Sequence, residues 1–149
     1  MNQYMDRAVE LARKNVEEGG QPFGAVIERN GEVLGEGVNE LHLQNDASGH
    51  AEMIAVRKVE EKLGRLDLSD CTMYASGEPC PMCYAMMRYA GIQDIYFAES
   101  KEEAEKTGLS KGGEIYEELQ KPEEMRKVRM KHLPLEKEGA MALFRRKNG

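Results

Sequence analysis

Apolar residues return every three or four positions along the first stretch: Met1, Tyr4, Met5, Ala8, Leu11, Ala12 and Val16. This spacing predicts an amphipathic helix over residues 2–18, stopped by Gly19-Gly20. Phe23 to Glu28 and Val33 to Val38 read as two strands around Asn30-Gly31, the strongest short signal for a hairpin. Asn39 to Gly49 is polar and reads as a loop. A second helix is expected from His50 to Glu61, with Met53, Ile54, Val56 and Val59 apolar. Cys71 to Ala75 reads as a short strand. Pro81 opens a third helix that runs to Ala90, and Gly91 ends it; Met82, Met86 and Met87 read as its core positions. Ile92 to Ala98 is the next strand, and Glu99 to Gly113 a charged loop with room for one helical turn. Glu114 to Leu119 reads as a short helix, Val128 to Leu133 as a final strand, and Pro134 to Arg146 as a terminal helix. Helices and strands alternate without a repeat or linker. Residues 1–149 are therefore read as one domain, an α/β layer sandwich around a single sheet.

Composition narrows the class. A chain of 149 residues, 40% apolar and 32% charged, fits one soluble globular domain with a real core. No apolar run reaches the length of a membrane span, and the first residues lack the build of a signal peptide. Of three cysteines, two sit in C-x-x-C, which favours metal binding in a reducing compartment and a cytoplasmic location. Cys71 lies in an apolar run and reads as a buried core thiol. With 21 basic and 27 acidic residues the net charge is −6, which disfavours nucleic acid as a partner. The Lys and Glu runs between Glu99 and Lys131 read as solvated faces.

The chemistry is concentrated in His50-Ala51-Glu52 and Pro79-Cys80-Pro81-Met82-Cys83. One imidazole and two thiolates suit Zn²⁺ and leave the fourth tetrahedral position open. Glu52, two residues from His50, does not share a helical face with it, so it suits proton transfer better than ligation. Both segments fall at expected helix starts, where negative charge on thiolates is stabilised. Two alternatives stand beside a catalytic zinc. A redox pair leaves His50 and Glu52 without a task, and a structural zinc needs a fourth ligand, for which only His42 and His132 remain among the histidines. His42 reads as solvated and His132 as structural or near the pocket; Glu78 reads as a turn residue or a backbone partner near the site.

The pattern H-x-E followed by P-C-x-x-C is the signature of zinc-dependent nucleobase deaminases. Together with Pro22-Phe23-Gly24-Ala25-Val26-Ile27, Gly37-Val38-Asn39 and Ser76-Gly77-Glu78, it resembles the cytidine deaminase superfamily over roughly residues 1–100. Within it the chain is similar to the purine-type branch of guanine deaminases and tRNA adenosine deaminases. Gly108-Leu109, Glu114-Ile115-Tyr116, Lys121-Pro122-Glu123-Glu124-Met125-Arg126 and the tail with Phe144 resemble the guanine deaminases.

The resemblance implies a three-layer α/β/α sandwich around a five-stranded mixed sheet. It implies one Zn²⁺ per chain on His50, Cys80 and Cys83, with Glu52 as the catalytic proton shuttle. Asn39 would hydrogen-bond the substrate, Phe23 would wall its ring, and the backbones of Ala51 and Ser76 would contact the substrate or its water. The expected reaction is hydrolysis of a small amino-heterocycle, guanine to xanthine plus ammonia. The alternatives are tRNA adenosine, a nucleoside, cytosine, a pterin or an aminotriazine as substrate, or a non-catalytic zinc-stabilised binding domain. A homodimer is implied, in which C-terminal segments can be exchanged, with residues 134–149 capping the pocket. Guanine deaminases carry aspartates in the loop after Gly108-Leu109, where this chain has Ser110-Lys111-Gly112-Gly113. An acid that reads the ring is expected instead among Glu114, Glu136 and Glu138.

Overall fold

A computed structural model describes residues 2–109 and 111–149. Met1 and Ser110, the latter in the departing loop, lie outside the described residues. The chain divides into a compact unit of residues 1–117 and a second unit of residues 118–149.

In the first unit, helix α1 spans Gln3–Glu17. Asn2 starts it, its Oδ1 accepting from the backbone N–H groups of Tyr4 at 2.9 Å and Met5 at 3.0 Å. Strands β1 (Gly24–Arg29) and β2 (Glu32–Val38) follow as the expected hairpin. Asn30 and Gly31 sit at φ 51° and 83°, the left-handed pair that a two-residue type I′ turn requires. Leu34 is an extra residue, because Ile27 pairs with Gly35 and Glu28 with Val33. This bulge turns a buried side chain inward and twists the hairpin.

Helix α2 (Ala51–Leu63) leads to β3 (Thr72–Gly77), then α3 (Pro81–Tyr89) and β4 (Asp94–Glu99). The sheet order is β2-β1-β3-β4, antiparallel except for the parallel β3–β4 pair. Alternation along the central strands assigns the two faces. Ala25, Ile27 and Met73 pack with Val56, Val59, Leu68, Cys71 and Met87 in one core, beneath α2 and α3. Val26 and Tyr74 pack with Ala8 under α1 on the opposite face. The three layers are therefore helix, mixed sheet, helix.

Four strands are present among the described residues, not five. Residues 128–133 form no ladder, and an alternating segment becomes a strand only when a neighbour takes its backbone hydrogen bonds. Two further expectations change. The charged stretch after β4 contains helix α4 (Lys101–Lys106), capped by Ser100 Oγ, which accepts from Glu103 N at 3.3 Å. The next helix, α5 (Gly112–Leu119), starts two residues before the predicted Glu114. In the second unit, Glu123–Met125 make a 3₁₀ turn and the terminal helix α6 covers only Ala140–Asn148. Residues 134–139, predicted as helix, precede it as irregular chain, with Pro134 and Gly139 bounding the interruption.

Candidate active site

Two helix N-termini converge on one point. His50 is the N-cap of α2, with extended backbone (φ −79°, ψ 154°) and no capping bond from its side chain. The imidazole is thus outside the helix that the sequence pattern assigned to it, and its ring nitrogens are available to partners. Cys80 is the N-cap of α3, with Pro81 in the first turn where a missing N–H costs nothing. Cys83 follows one turn on, and its N–H donates to Cys80 Sγ at 3.5 Å.

Close packing against the sheet fixes where α2 begins. A Cβ on Gly37 would collide with the carbonyl oxygen of Ala51 and stand 2.8 Å from Ala55 N. Only glycine lets the first turn of α2 lie directly on β2.

His50 Nδ1 lies 3.5 Å from Cys80 Sγ and 3.6 Å from Cys83 Sγ, and all three ligand atoms fall within 4.8 Å of one another. Zinc bonds of about 2.3 Å to sulfur and 2.0 Å to nitrogen at tetrahedral angles put S and N about 3.5 Å apart, so the trio fits the ion. His42 lies outside this group and is exposed, as is His132.

The charges tell the same story. Cys80 is lowered to about 4, chiefly by a hydrogen bond from the Cys83 thiol and then by His50. Cys83 is pushed up, first by that same bond and then by burial. His50 is raised by its hydrogen bond to Cys80. The two sulfurs compete for one negative charge, and a divalent ion would let both ionise.

Glu52 is buried, only 7% exposed, and interacts with Cys83, Cys80 and His50. Burial is the main reason its carboxyl rises to about 7. A buried carboxyl that exchanges protons near neutrality, beside a three-ligand metal site, has the properties of a general acid–base.

The other candidates are distributed as follows. Ala51 and Ser76 are buried, and Ser76 Oγ accepts from Gly24 N at 2.9 Å. The Phe23 ring lies against Gly77, beside the ligand loop, close enough that a Cβ there would stand 3.0 Å from it. Asn39 is buried; its Oδ1 accepts from Leu41 N at 3.1 Å and its Nδ2 donates to Gln21 Oε1 at 3.3 Å. Glu78 accepts from Lys101 N at 3.1 Å, a backbone bond of the expected kind. Glu114 is exposed on the first turn of α5. Glu136 and Glu138 are exposed in the second unit, where Glu138 pairs with Arg146. Of the methionines, Met87 is in the core and Met86 packs against it, but Met82 points outward. It occupies the position between two inward-facing ligands on α3.

Three residues at this end of the fold escape sequence reasoning. The Tyr116 hydroxyl donates to the carbonyl of Pro79 at 3.0 Å, tying α5 to the ligand loop, and burial raises the phenol to about 12. Gln21 reaches Asn39 as described. Asn15 is an asparagine on the buried stripe of α1, the one sequence signal of the three.

Residues 1–99 match the family described as the cytidine and deoxycytidylate deaminase zinc-binding region. The chain is 40% identical to guanine deaminase of Bacillus subtilis over 126 residues, 84% of this chain and 80% of that protein. It is 32% identical to a tRNA-specific adenosine deaminase of Streptococcus pyogenes over 99 residues, 66% of this chain and 62% of that protein. The X-ray structure of guanine deaminase from Bacillus subtilis superposes with a TM-score of 0.89 at 36% identity, covering 99% of this chain and 94% of that one. The chain belongs to the cytidine and deoxycytidylate deaminase family and is by class a zinc-dependent hydrolytic deaminase.

Proposed function

We propose that this member of the deaminase family hydrolyses guanine to xanthine and ammonia. The observation that carries the choice of substrate is the likeness to guanine deaminase, which continues through both halves of the chain. The likeness to the tRNA enzyme covers a smaller share of the chain, and a net charge of −6 gives little attraction for a polyanion.

In this reading His50, Cys80 and Cys83 hold the ion. Bound there, zinc supplies the Lewis acidity that makes water a nucleophile near neutral pH. Glu52 would take one proton from the attacking water and give it to a ring nitrogen, then take the second from the resulting hydroxyl and give it to the departing amine, leaving a carbonyl and ammonia. Its raised carboxyl supports transfer in both directions. Asn39 binds the heterocycle by hydrogen bonds, Phe23 walls the ring, and the backbones of Ala51 and Ser76 contact the substrate or its water. One carboxylate among Glu114, Glu136 and Glu138 reads the ring. Glu114 has the support that its helix is tethered by Tyr116 to Pro79, next to a ligand.

Residues 1–149 then act as one deaminase domain, with 134–149 as a tail that closes the pocket. We assign a homodimer able to exchange these tails. Exposed apolar side chains within each unit support an added partner: Tyr96 and Phe97 on β4, Leu133 and Phe144 in the second unit. Free thiols at Cys80 and Cys83 suit the reducing cytoplasm. No helix among the described residues is long and apolar enough to cross a membrane.

The deciding experiment measures ammonia released by the zinc-loaded chain from guanine, adenine, cytosine, their nucleosides and tRNA. Guanine should give the highest kcat/KM, with xanthine as product. Faster adenosine-to-inosine conversion in tRNA would replace this substrate with the alternative.

A further inference from the structure

Asn15 lies in the last full turn of α1, on the face that also buries Ala8 and Ala12. A polar side chain there is costly unless its hydrogen bonds are made. Asn15 Nδ2 makes two, to the carbonyl of Gln21 at 2.8 Å and to the carbonyl of Asn39 at 2.9 Å. One buried amide thus holds together two backbone positions 18 residues apart. Their side chains then meet, with Asn39 Nδ2 donating to Gln21 Oε1 at 3.3 Å.

The second contact of Asn39 fixes which way round its carboxamide sits. The N–H of Leu41 can only donate, so the atom it meets at 3.1 Å is Oδ1. Nδ2 must therefore find an acceptor, and Gln21 Oε1 is that acceptor. A carboxamide held at both ends does not exchange its donor and acceptor sides. It keeps one further N–H and one further lone pair for a ligand.

We infer that Gln21 is a positioning residue for substrate recognition, locking the Asn39 carboxamide in the orientation that meets the heterocycle while Asn15 braces the two side by side. The inference rests on the proposed role of Asn39. A half-turn of that carboxamide would present an acceptor where the heterocycle needs a donor. Gln21 therefore acts on binding and discrimination, not on the chemical step.

The test uses the zinc-loaded full chain with Gln21→Ala, Gln21→Glu, Asn39→Ala and the Gln21→Ala/Asn39→Ala double variant, assayed on guanine. Gln21 is half-buried, and the backbone carbonyl that Asn15 holds is untouched by these substitutions. Gln21→Ala should raise KM about five- to tenfold with kcat within about twofold, the effect of one neutral hydrogen bond. Gln21→Glu keeps the acceptor oxygen and should stay near wild type. In the Asn39→Ala background, Gln21→Ala should add no loss. Independently of turnover, the Asn39 side-chain NH₂ pair in a ¹⁵N-correlated NMR spectrum should move in Gln21→Ala and stay close to its native position in Gln21→Glu. An unmoved NH₂ pair, a silent Gln21→Ala, or an equal loss in the Asn39→Ala background overturns the inference. Unchanged guanine kinetics in Asn39→Ala overturn the reading of Asn39, and with it this role for Gln21. The NMR pair then still reports whether the lock itself exists.

Discussion

Glu52 and Cys83 are neighbours with different work, and substitution separates them. Glu52→Gln removes the proposed proton carrier but keeps size and shape at a buried position. The variant should retain about one zinc per chain while turnover falls by roughly 10²–10⁴-fold, the usual worth of general acid–base catalysis. Near-native turnover would remove Glu52 from the mechanism. Cys83→Ala deletes a buried ligand instead, and elemental analysis should find most of the zinc gone. Wild-type occupancy in that variant would mean the ion is held elsewhere. His50, Cys80 and Cys83 were legible in the sequence because metal ligation forces their residue types and the C-x-x-C spacing. Asn15 left only the trace of a polar residue on an apolar stripe, and Gln21 and Tyr116 left none, since no residue type advertises which distant side chain or carbonyl it will meet.

Among the elements, α2 is the one whose placement decides the site. Gly37→Ala puts a methyl group against the Ala51 carbonyl and Ala55 N. Overpacking of this kind costs about 1–3 kcal/mol. Denaturant unfolding should show a loss in that range, together with weaker zinc retention; an unchanged midpoint would mean that α2 can lift without effect. Helix α1 is tied to β2 by Arg7, whose Nε and Nη2 donate to Glu36 at 2.7 and 3.0 Å. Those hydrogen bonds hold the Glu36 carboxyl below its usual 4.5. A lowered folded value means the pair stabilises above pH 4.5 and fades as pH falls through the folded value. Both side chains are partly solvated, so the worth is below about 1 kcal/mol. The stability gap between wild type and Glu36→Gln should be present at pH 7 and vanish in acid; a gap that persists at pH 3 would assign it to packing.

The same scale shows what the pattern could and could not say about structure. Asn30-Gly31 named its turn because few residues accept φ above zero at both positions. Pro81 and Gly91 named the ends of α3 for comparable reasons. Helix α4 reads as no more than one turn within a loop because it has no apolar stripe, although Ser100 and Glu103 carry a capping signal. The proposed strand at 128–133 had the alternation and lacked a ladder, and a ladder is a property of two segments that one segment does not contain.

At the scale of the whole molecule, the proposed homodimer makes a measurable claim. Light scattering of the zinc-loaded chain should give twice 16.8 kDa. A monomer at micromolar concentration that still turns over guanine would show that one chain completes its own pocket.

The parallel β3–β4 pair, joined through α3, has a consequence for the order of folding. Cys80 and Cys83 share one turn of helix and can meet a zinc ion as soon as α3 starts to form. His50 sits 30 residues before Cys80 and reaches them only when β1 has taken β3 as its neighbour. Closing that loop costs entropy that a two-thiolate half-site does not recover. The ion therefore fastens an assembled sheet instead of nucleating it, and raising zinc should slow unfolding while leaving the rate of refolding nearly unchanged.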